Sequence, residues 1–404
     1  CYSVLCIEDP EMATLNRENK HVDVVESSGR TRTFQRPVVA AIIVAWVVLL
    51  IFIVVLTRIS RGPVVLPDDM GRNIFLGEAF SLQHAPASSI RVHANVPLRV
   101  EDGGLAILDA IGREQSFIQY PYRHPNLYDA GEALIIAPRN DTEIMILLPD
   151  LTMHELSVEA IIQGGDYRDG YVLLLGQAAN NVSRVSLHKL TQEGPLLTLS
   201  ISEHGRPIRV SFAMSGRYFD VLLVDFSEGT PVTRVRRFDF QGELIADRRY
   251  ANFGFLPAIL QLHDKEQVLF GECEIVAVNT ETGELRLSRS FDRIEQIDLR
   301  SGCLGIRAMD DGRMSMWFLR GIPDRVEQTL VKAQSTEEVI DFALSGDGVY
   351  ALGVTADKLM LFNTMTGELI AERDGLNGMV RVFAIANRNY LVLTKEEGAI
   401  VAIR

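Results

Sequence analysis

The side chains best suited to chemistry are few and dispersed along this sequence. Eight histidines, His21, His84, His93, His124, His154, His188, His204 and His263, include no pair at i,i+2 or i,i+4, the spacings that would aim two imidazoles at one metal. Each is read as a surface or turn residue. Four cysteines, Cys1, Cys6, Cys273 and Cys303, form no CxxC or Cys/His ligand pattern. Cys273 and Cys303 are read as two isolated buried thiols, with a single bridge between them as the alternative in an exported domain. Asp68–Asp69 and Asp310–Asp311 fall in linker or turn contexts, where Asp bonds its own backbone, and neither offers the alternating oxygens of a calcium loop. No GxSxG elbow, GxGxxG fingerprint or GxxxxGK[ST] loop is present. The sequence nominates no catalytic, cofactor-binding or metal-ligating residue and implies no cofactor.

Composition bounds the partners. The 404 residues are 47% apolar and 23% charged, with a net charge of −13, as in a folded chain. Residues 1–61 hold seven basic and six acidic residues, leaving 33 and 47 for 62–404, a net of −14. Such a surface repels nucleic acid, which is excluded as a partner. Asn140-Asp141-Thr142 and Asn181-Val182-Ser183 match glycosylation acceptors, which matter only in a eukaryotic secretory setting.

Whatever site exists must be positioned by two very different elements. From Val38 to Leu56 run nineteen apolar residues without a charge, bracketed by Arg36 and Arg58. As a helix they span about 28 Å, close to the hydrocarbon thickness of a bilayer. A core helix would not be apolar on every face, and a signal peptide would be shorter with a small-x-small site. The chain is therefore expected to have a tail at 1–37, a transmembrane helix at 38–57 and a linker at 58–72. Residues 1–11, ahead of Met12, read as a possible non-native extension. Arg17, Lys20, Arg30, Arg32 and Arg36 precede the helix, against Arg58, Arg61 and Arg72 after it. The bias places the tail in the cytoplasm and the large domain outside.

Beyond Asn73 the sequence carries β-type runs separated by turn signals, and two landmarks repeat. One is an apolar strand, then a polar turn with glycine, then a new strand, at Gly112, Gly194, Gly242, Gly283, Gly321 and Gly367. The spacing fits a period of about 42 with one copy missing near Pro149–Asp150. The other is a polar turn before an aromatic that opens a strand, at Tyr171, Tyr218, Tyr350 and Tyr390, in the same phase. Residues 325–367 divide into four strands, VEQTLVKA, EEVIDFAL, VYALGVT and KLMLFNT. Four strands per repeat of this size make an all-β, β-propeller blade. Residues 73–404 then hold eight blades, or seven if the early units are irregular. The terminal GAIVAIR reads as a third strand without a fourth, and NIFLGEAFSL at 73–82 is expected to supply it, closing the ring.

The TETGEL and TMTGEL turns resemble quinoprotein-type repeats, and SGDGVYALG resembles the turn-strand element of WD-repeat-like propellers. Tail, helix and irregular propeller together resemble an uncharacterised family of single-pass, membrane-anchored bacterial propeller proteins, a resemblance that implies no activity. Redox quinoproteins close their repeats with docking tryptophans. Here Trp46 lies in the apolar run, Trp317 alone serves the propeller, and Arg286-Leu287-Ser288 and Ile370-Ala371-Glu372 stand where Trp would be. Ser345-Gly346-Asp347-Gly348 resembles half of a sialidase Asp-box without its Thr-Trp, and is read as a hairpin turn.

Propellers are rigid discs whose function is grafted onto loops. The expected function is a membrane-anchored, extracytoplasmic binding or scaffold module. Its expected partners are the lipid bilayer, through residues 38–57, and other envelope proteins or cell-surface polymer. An enzyme with a site in the central channel, or a ligand sensor relaying across the membrane, are the alternatives.

Overall fold

The computed structural model describes residues 72–404 apart from 83–85, 110, 179–180, 204, 322–327 and 387. The expected tail 1–37, transmembrane helix 38–57 and linker up to residue 71 lie outside the described residues. So do His21, His84, His204, Asp68 and Asp69. Among the described residues no helix is long and apolar enough to cross a membrane.

The described chain is an eight-bladed β-propeller. Blade 1 consists of Ile90–His93, Val96–Glu101, Gly104–Leu108 and Glu114–Gln119. Blade 2 follows with Asn126–Ala130, Ala133–Ala137, Glu143–Leu147 and Met153–Ser157. Blade 3 has Ile161–Arg168, Tyr171–Gln177, Ser183–Lys189 and Pro195–Ile201; blade 4 has Arg206–Phe212, Tyr218–Asp225, Val232–Asp239 and Leu244–Tyr250. Blade 5 is Ala258–His263, Glu266–Phe270, Glu274–Asn279 and Leu285–Ser290; blade 6 is Arg293–Arg300, Cys303–Asp310, Arg313–Arg320 and Leu330–Lys332. Blade 7 comprises Asp341–Leu344, Tyr350–Val354, Lys358–Asn363 and Leu369–Asp374. Blade 8 takes Arg381–Ile385, Asn389–Leu393 and Glu397–Ile403 from the end of the chain. Its outer strand comes from the beginning: Ile74–Leu76 pairs antiparallel with Val401–Ile403, and Phe80–Ser81 with Glu397–Gly398. The ring closes as expected, and no blade is left with an unpaired third strand.

Side-chain alternation explains why the middle strands are uninterrupted apolar runs. Successive strand residues point to opposite faces, and each face of a blade meets a different neighbour. In blade 3, Val172 and Leu174 join the cluster shared with blade 2, while Leu173 and Leu175 join the one shared with blade 4. Tyr390 and Val392 of blade 8 likewise face blade 7, while Leu391 and Leu393 face blade 1. The core is thus eight apolar seams, one per junction. Each fully buried Leu, Ile or Val contributes about 1.5–3 kcal/mol, so the ring is held by many equivalent contacts.

Both repeat landmarks fall where one phase requires. Tyr171, Tyr218, Tyr350 and Tyr390 all lie in second strands, of blades 3, 4, 7 and 8. Gly112, Gly194, Gly242, Gly283 and Gly367 lie between third and fourth strands with φ of 72–86°. Gly321 follows the third strand of blade 6 without a positive φ. The missing copy is real: in blade 2, Leu151 takes that position at φ 65°, and its N–H bonds Leu148 O at 3.0 Å. At Gly367 the backbone also approaches its neighbour closely, since a Cβ there would lie 2.2 Å from Lys332 O of blade 6.

One boundary expectation is corrected. Four strands do occur in 325–367, but the first, Leu330–Lys332, is the outer strand of blade 6, paired with Trp317–Leu319. Hydrogen-bond register defines the sheet, and the chain returns to the axis only after residue 333. The repeat length was legible, whereas the blade boundary was displaced by one strand.

Candidate binding site at the junction of blades 4 and 5

The apolar seam between blades 4 and 5, which includes Leu222, Val235, Ile259 and Leu269, also carries a buried ion pair. Asp220 stands in the second strand of blade 4, directly across from Arg237 in the third. The Arg237 Nε and Nη2 donate to the two Asp220 oxygens, both at 2.8 Å, with the side chains 8% and 1% exposed. Burial disfavours the guanidinium charge, but the hydrogen bonds and charge of Asp220 outweigh it and hold the Arg237 pKa above its ordinary value. Gln261 Nε2 of blade 5 donates to Asp220 Oδ2 at 3.0 Å, and Arg237 Nη1 donates to Thr280 O at 3.2 Å. The pair therefore ties two blades together.

Arg248, on the outer strand of blade 4, extends the network to the surface. Its Nη1 and Nη2 donate to Thr280 O and Glu281 O, each at 2.6 Å. These carbonyls belong to the turn that carries Gly283, and a Cβ on Gly283 would lie 2.8 Å from Arg248 Nε. The corresponding turn glycines of blades 1 and 4 meet apolar side chains, Gly112 that of Phe80 and Gly242 that of Leu197, whereas Gly367 of blade 7 meets the Lys332 carbonyl and Gly194 of blade 3 meets open space. Arg248 has no carboxylate partner among the described residues.

Beside it lies a cavity of about 320 Å³ lined by Arg248, Arg249, Tyr250, Phe253, Thr282 and Leu285, among others, and by no acidic residue. This volume falls at the small end of ligand pockets. Tyr250, in its wall, is 6% exposed, and burial raises its phenol pKa. Beneath it Gln267, opposite Gln261 in register, is fully buried with neither amide atom in a well-formed hydrogen bond. Polar groups in such a setting are where ordered water is found.

A β-bulge between Gln261 and His263 sends His263 to the other face of blade 5. There His263 Nε2 is 2.9 Å from Glu266 Oε2, and Gln328 Nε2 donates to the same oxygen at 3.0 Å. Burial pushes Glu266 up to about 7, against the opposing charge of Arg286. Nearer the axis, acids act as ties between inner strands. Asp166 accepts from Phe212 N at 2.7 Å, Asp298 from Leu344 N at 2.8 Å and Asp341 from Val382 N at 2.8 Å. In each case the carboxyl reaches the first strand of the next blade. Burial raises all three carboxyls, with these hydrogen bonds opposing it.

Several residues singled out from the sequence lie elsewhere. His93 and His188 are buried rather than in surface turns: the alternation of their strands turns them inward. His93 Nε2 is 3.0 Å from Leu148 O and His188 Nε2 is 3.0 Å from Ser186 Oγ. Burial lowers the His188 pKa. Cys303 is buried, with its thiol pushed up to about 11, but Cys273 is exposed in a turn of blade 5, and both are free. The reading of two buried thiols is corrected for Cys273. Ser345–Gly348 is a hairpin turn, with Val349 N donating to Asp347 Oδ1 at 3.1 Å. Asp310 binds Arg289, and Asp311 turns the chain at φ 51°. Trp317 is flanked by Arg289 and Lys332, each 5.1 Å from its ring centroid. Among the described residues no group of three His, Cys, Asp or Glu side chains is arranged for a metal.

Asp220 and Arg237 were missed by motif reasoning, although a signal existed. In the run YFDVLLV, Asp220 is the one charge inside a strand that is otherwise apolar, and a buried carboxylate requires a partner. Arg248 had no such signal, because it lies in the outer strand, where arginine is ordinary.

No family model matches the chain, and no curated protein matches it either. Solved structures do share the architecture. The chain is similar to a computationally designed protein, Ika8, at 14% identity and a TM-score of 0.54, covering 81% of this chain and all of that one. It is similar to BamB from Moraxella catarrhalis at 9% identity and a TM-score of 0.51, covering 82% and 100%. The β-propeller domain of Cps50 (Swd1) from Myceliophteria thermophila aligns at 12% identity over 80% and 99%, with a TM-score of 0.45. At these identities the likeness is one of fold.

Proposed function

We propose that this chain is a membrane-anchored propeller acting outside the cytoplasm as a binding scaffold for other envelope proteins or cell-surface polymer. The observation that carries the reading is the preformed cavity at the junction of blades 4 and 5. It is lined by two arginines and no acid on a chain of net charge −13, and Arg237, paired with Asp220, binds the same Thr280 carbonyl that holds Arg248. A rigid frame that keeps a guanidinium in place lowers the ordering cost of binding. The inner-strand acids Asp166, Asp298 and Asp341 are occupied as ties between blades, which favours a scaffold over an enzyme of the channel. The apolar run 38–56 and its flanking arginines support the anchor and its orientation.

Two measurements test this reading. A reporter active only in the cytoplasm, fused at Arg404, stays silent, and photo-crosslinkers placed at Asn252 and Thr282 capture the same envelope component in native cells. An active reporter, or crosslinks no richer than those from the far side of the ring, sinks it.

A further inference from the structure

The cavity is more specific than a generic docking pocket. Both cationic residues in its wall sit on adjacent positions of one outer strand but are committed differently. Arg249 is neutralised locally: its Nη1 bonds Glu228 at 2.6 Å and its Nε lies 3.8 Å from Asp225. Arg248 bonds only main-chain carbonyls, those of Thr280 and Glu281. Carbonyl dipoles orient a guanidinium without cancelling its charge. Asp220 is already matched one-to-one by Arg237, Glu284 lies 3.7 Å from Arg286, and Glu281, which holds Arg248 through its carbonyl, is not among the residues that line the cavity. A half-buried positive charge is therefore left facing the cavity, while Phe253, Val278 and Leu285 supply an apolar wall.

From this geometry we infer that the junction of blades 4 and 5 is a recognition site for a carboxylate carried beside an apolar group, with Arg248 as its anion contact. The inference rests on the reading of the chain as a binding module and names its ligand class. The carboxylate lies against Arg248 at the mouth, and the apolar part rests on Phe253 and Leu285. A guanidinium held by two carbonyls is already ordered, so the ligand charge meets a fixed partner. The cavity of about 320 Å³ takes one or two side chains beside its apolar wall, so the carboxylate is that of an acidic side chain in an extended protein segment, and a uronate unit of a surface polymer is left as an outcome of the test.

The test uses the full chain in detergent micelles, with calorimetry and fluorescence anisotropy at low salt. Probes are a labelled acetyl-Leu-Glu-Leu amide, its Leu-Gln-Leu counterpart, an oligogalacturonate and the neutral oligogalactoside. The Leu-Glu-Leu peptide binds tenfold or more tightly than its Leu-Gln-Leu counterpart, and added salt weakens that preference. Arg248→Met abolishes the preference and Arg248→Lys keeps part of it. Leu285→Glu, at a half-exposed wall position that folding tolerates, lowers acidic-probe affinity at least fivefold and serves if Arg248→Met misfolds. A preference shown by the oligogalacturonate and not by the peptide overturns the protein source. Equal binding of acidic and neutral probes, binding by neither, or an unchanged preference in Leu285→Glu overturns the inference. If crosslinking from Asn252 and Thr282 still captures one envelope component in that event, the scaffold stands and only its ligand class is lost.

Discussion

Arg237 and Asp220 face each other in register across adjacent strands of blade 4, closed by two hydrogen bonds of 2.8 Å at the junction with blade 5. Because Gln261 and Thr280 of blade 5 bind the same pair, losing either partner disturbs the sheet and the junction together. Removing one member of a buried ion pair leaves the other uncompensated, at a cost of about 3–5 kcal/mol. Arg237→Ala is expected to lower the urea midpoint by that order, whereas the apolar double replacement Asp220→Leu with Arg237→Met costs much less. Equal losses in the two variants would show that packing, and not the stranded charge, sets the effect.

The stability that Glu266 contributes should fall as pH rises from about 4.5 to 7. Glu266, raised to about 7 by burial, binds its proton more tightly when folded than when unfolded. Its contribution is complete below the unfolded value near 4.5 and is lost as pH rises through about 7. Asp166, Asp298 and Asp341 are raised in the same direction and add to the trend at lower pH. Urea midpoints measured across this range should decline less in Glu266→Gln than in the wild-type chain. A Glu266→Gln profile that runs parallel to that of the wild-type chain contradicts the assignment.

Two turn glycines with nearly equal φ should respond differently to alanine. Gly194, at φ 74°, has open space where a Cβ would be, so Gly194→Ala costs only the left-handed strain, about 1 kcal/mol. Gly367, at φ 73°, would place its Cβ 2.2 Å from Lys332 O. Gly367→Ala must displace the outer strand of blade 6 and should cost at least 1 kcal/mol more. Matching melting temperatures for the two variants would disprove the close approach.

Ring closure depends on the last eight residues. Deleting 397–404 removes the third strand of blade 8, with which Ile74–Leu76 and Phe80–Ser81 pair. The apolar seams of blade 8 with blades 7 and 1 then open to water. The truncated chain should lose cooperative unfolding and become sensitive to protease, as followed by circular dichroism and limited proteolysis. Retained cooperativity would mean that the ring does not need closure.

The tie from Asp298 to blade 7 offers a finer test. Asp298→Ala leaves the Leu344 N–H without its acceptor, and an unpaired buried donor costs about 1–3 kcal/mol. Asp298→Asn keeps an oxygen at the same place and should retain most of the stability, as read from denaturation midpoints. If the two variants match, the hydrogen bond between blades contributes nothing.

The repeat was visible because local chemistry is strong at turns and in middle strands. Gly112, Gly194, Gly242, Gly283 and Gly367 must supply positive φ, and Val172–Leu175 must be apolar on both faces. The phase of the blades was less visible. The outer strand Leu330–Lys332 carries the same residue types as an inner one, and only pairing with Trp317–Leu319 assigns it to blade 6. Leu151 hid a turn because it adopts a conformation normally left to glycine. His93, His188 and Cys273 were misplaced for a related reason: a short strand or turn fixes alternation only once its register is known.

By itself the sequence determined a closed ring of four-stranded sheets, eight or seven in number where the structure has eight, because backbone turn preferences and strand alternation act between residues a few positions apart and recur along the chain. It also determined that the first strand joins the last sheet, since an unmatched third strand needs a partner. Only the tertiary structure decided that Asp220, Arg237, Gln261 and Thr280 meet, and that Arg248 is left beside an acid-free cavity. Those contacts cross between sheets, and the balance of charge and burial at a junction depends on distances that no single strand encodes.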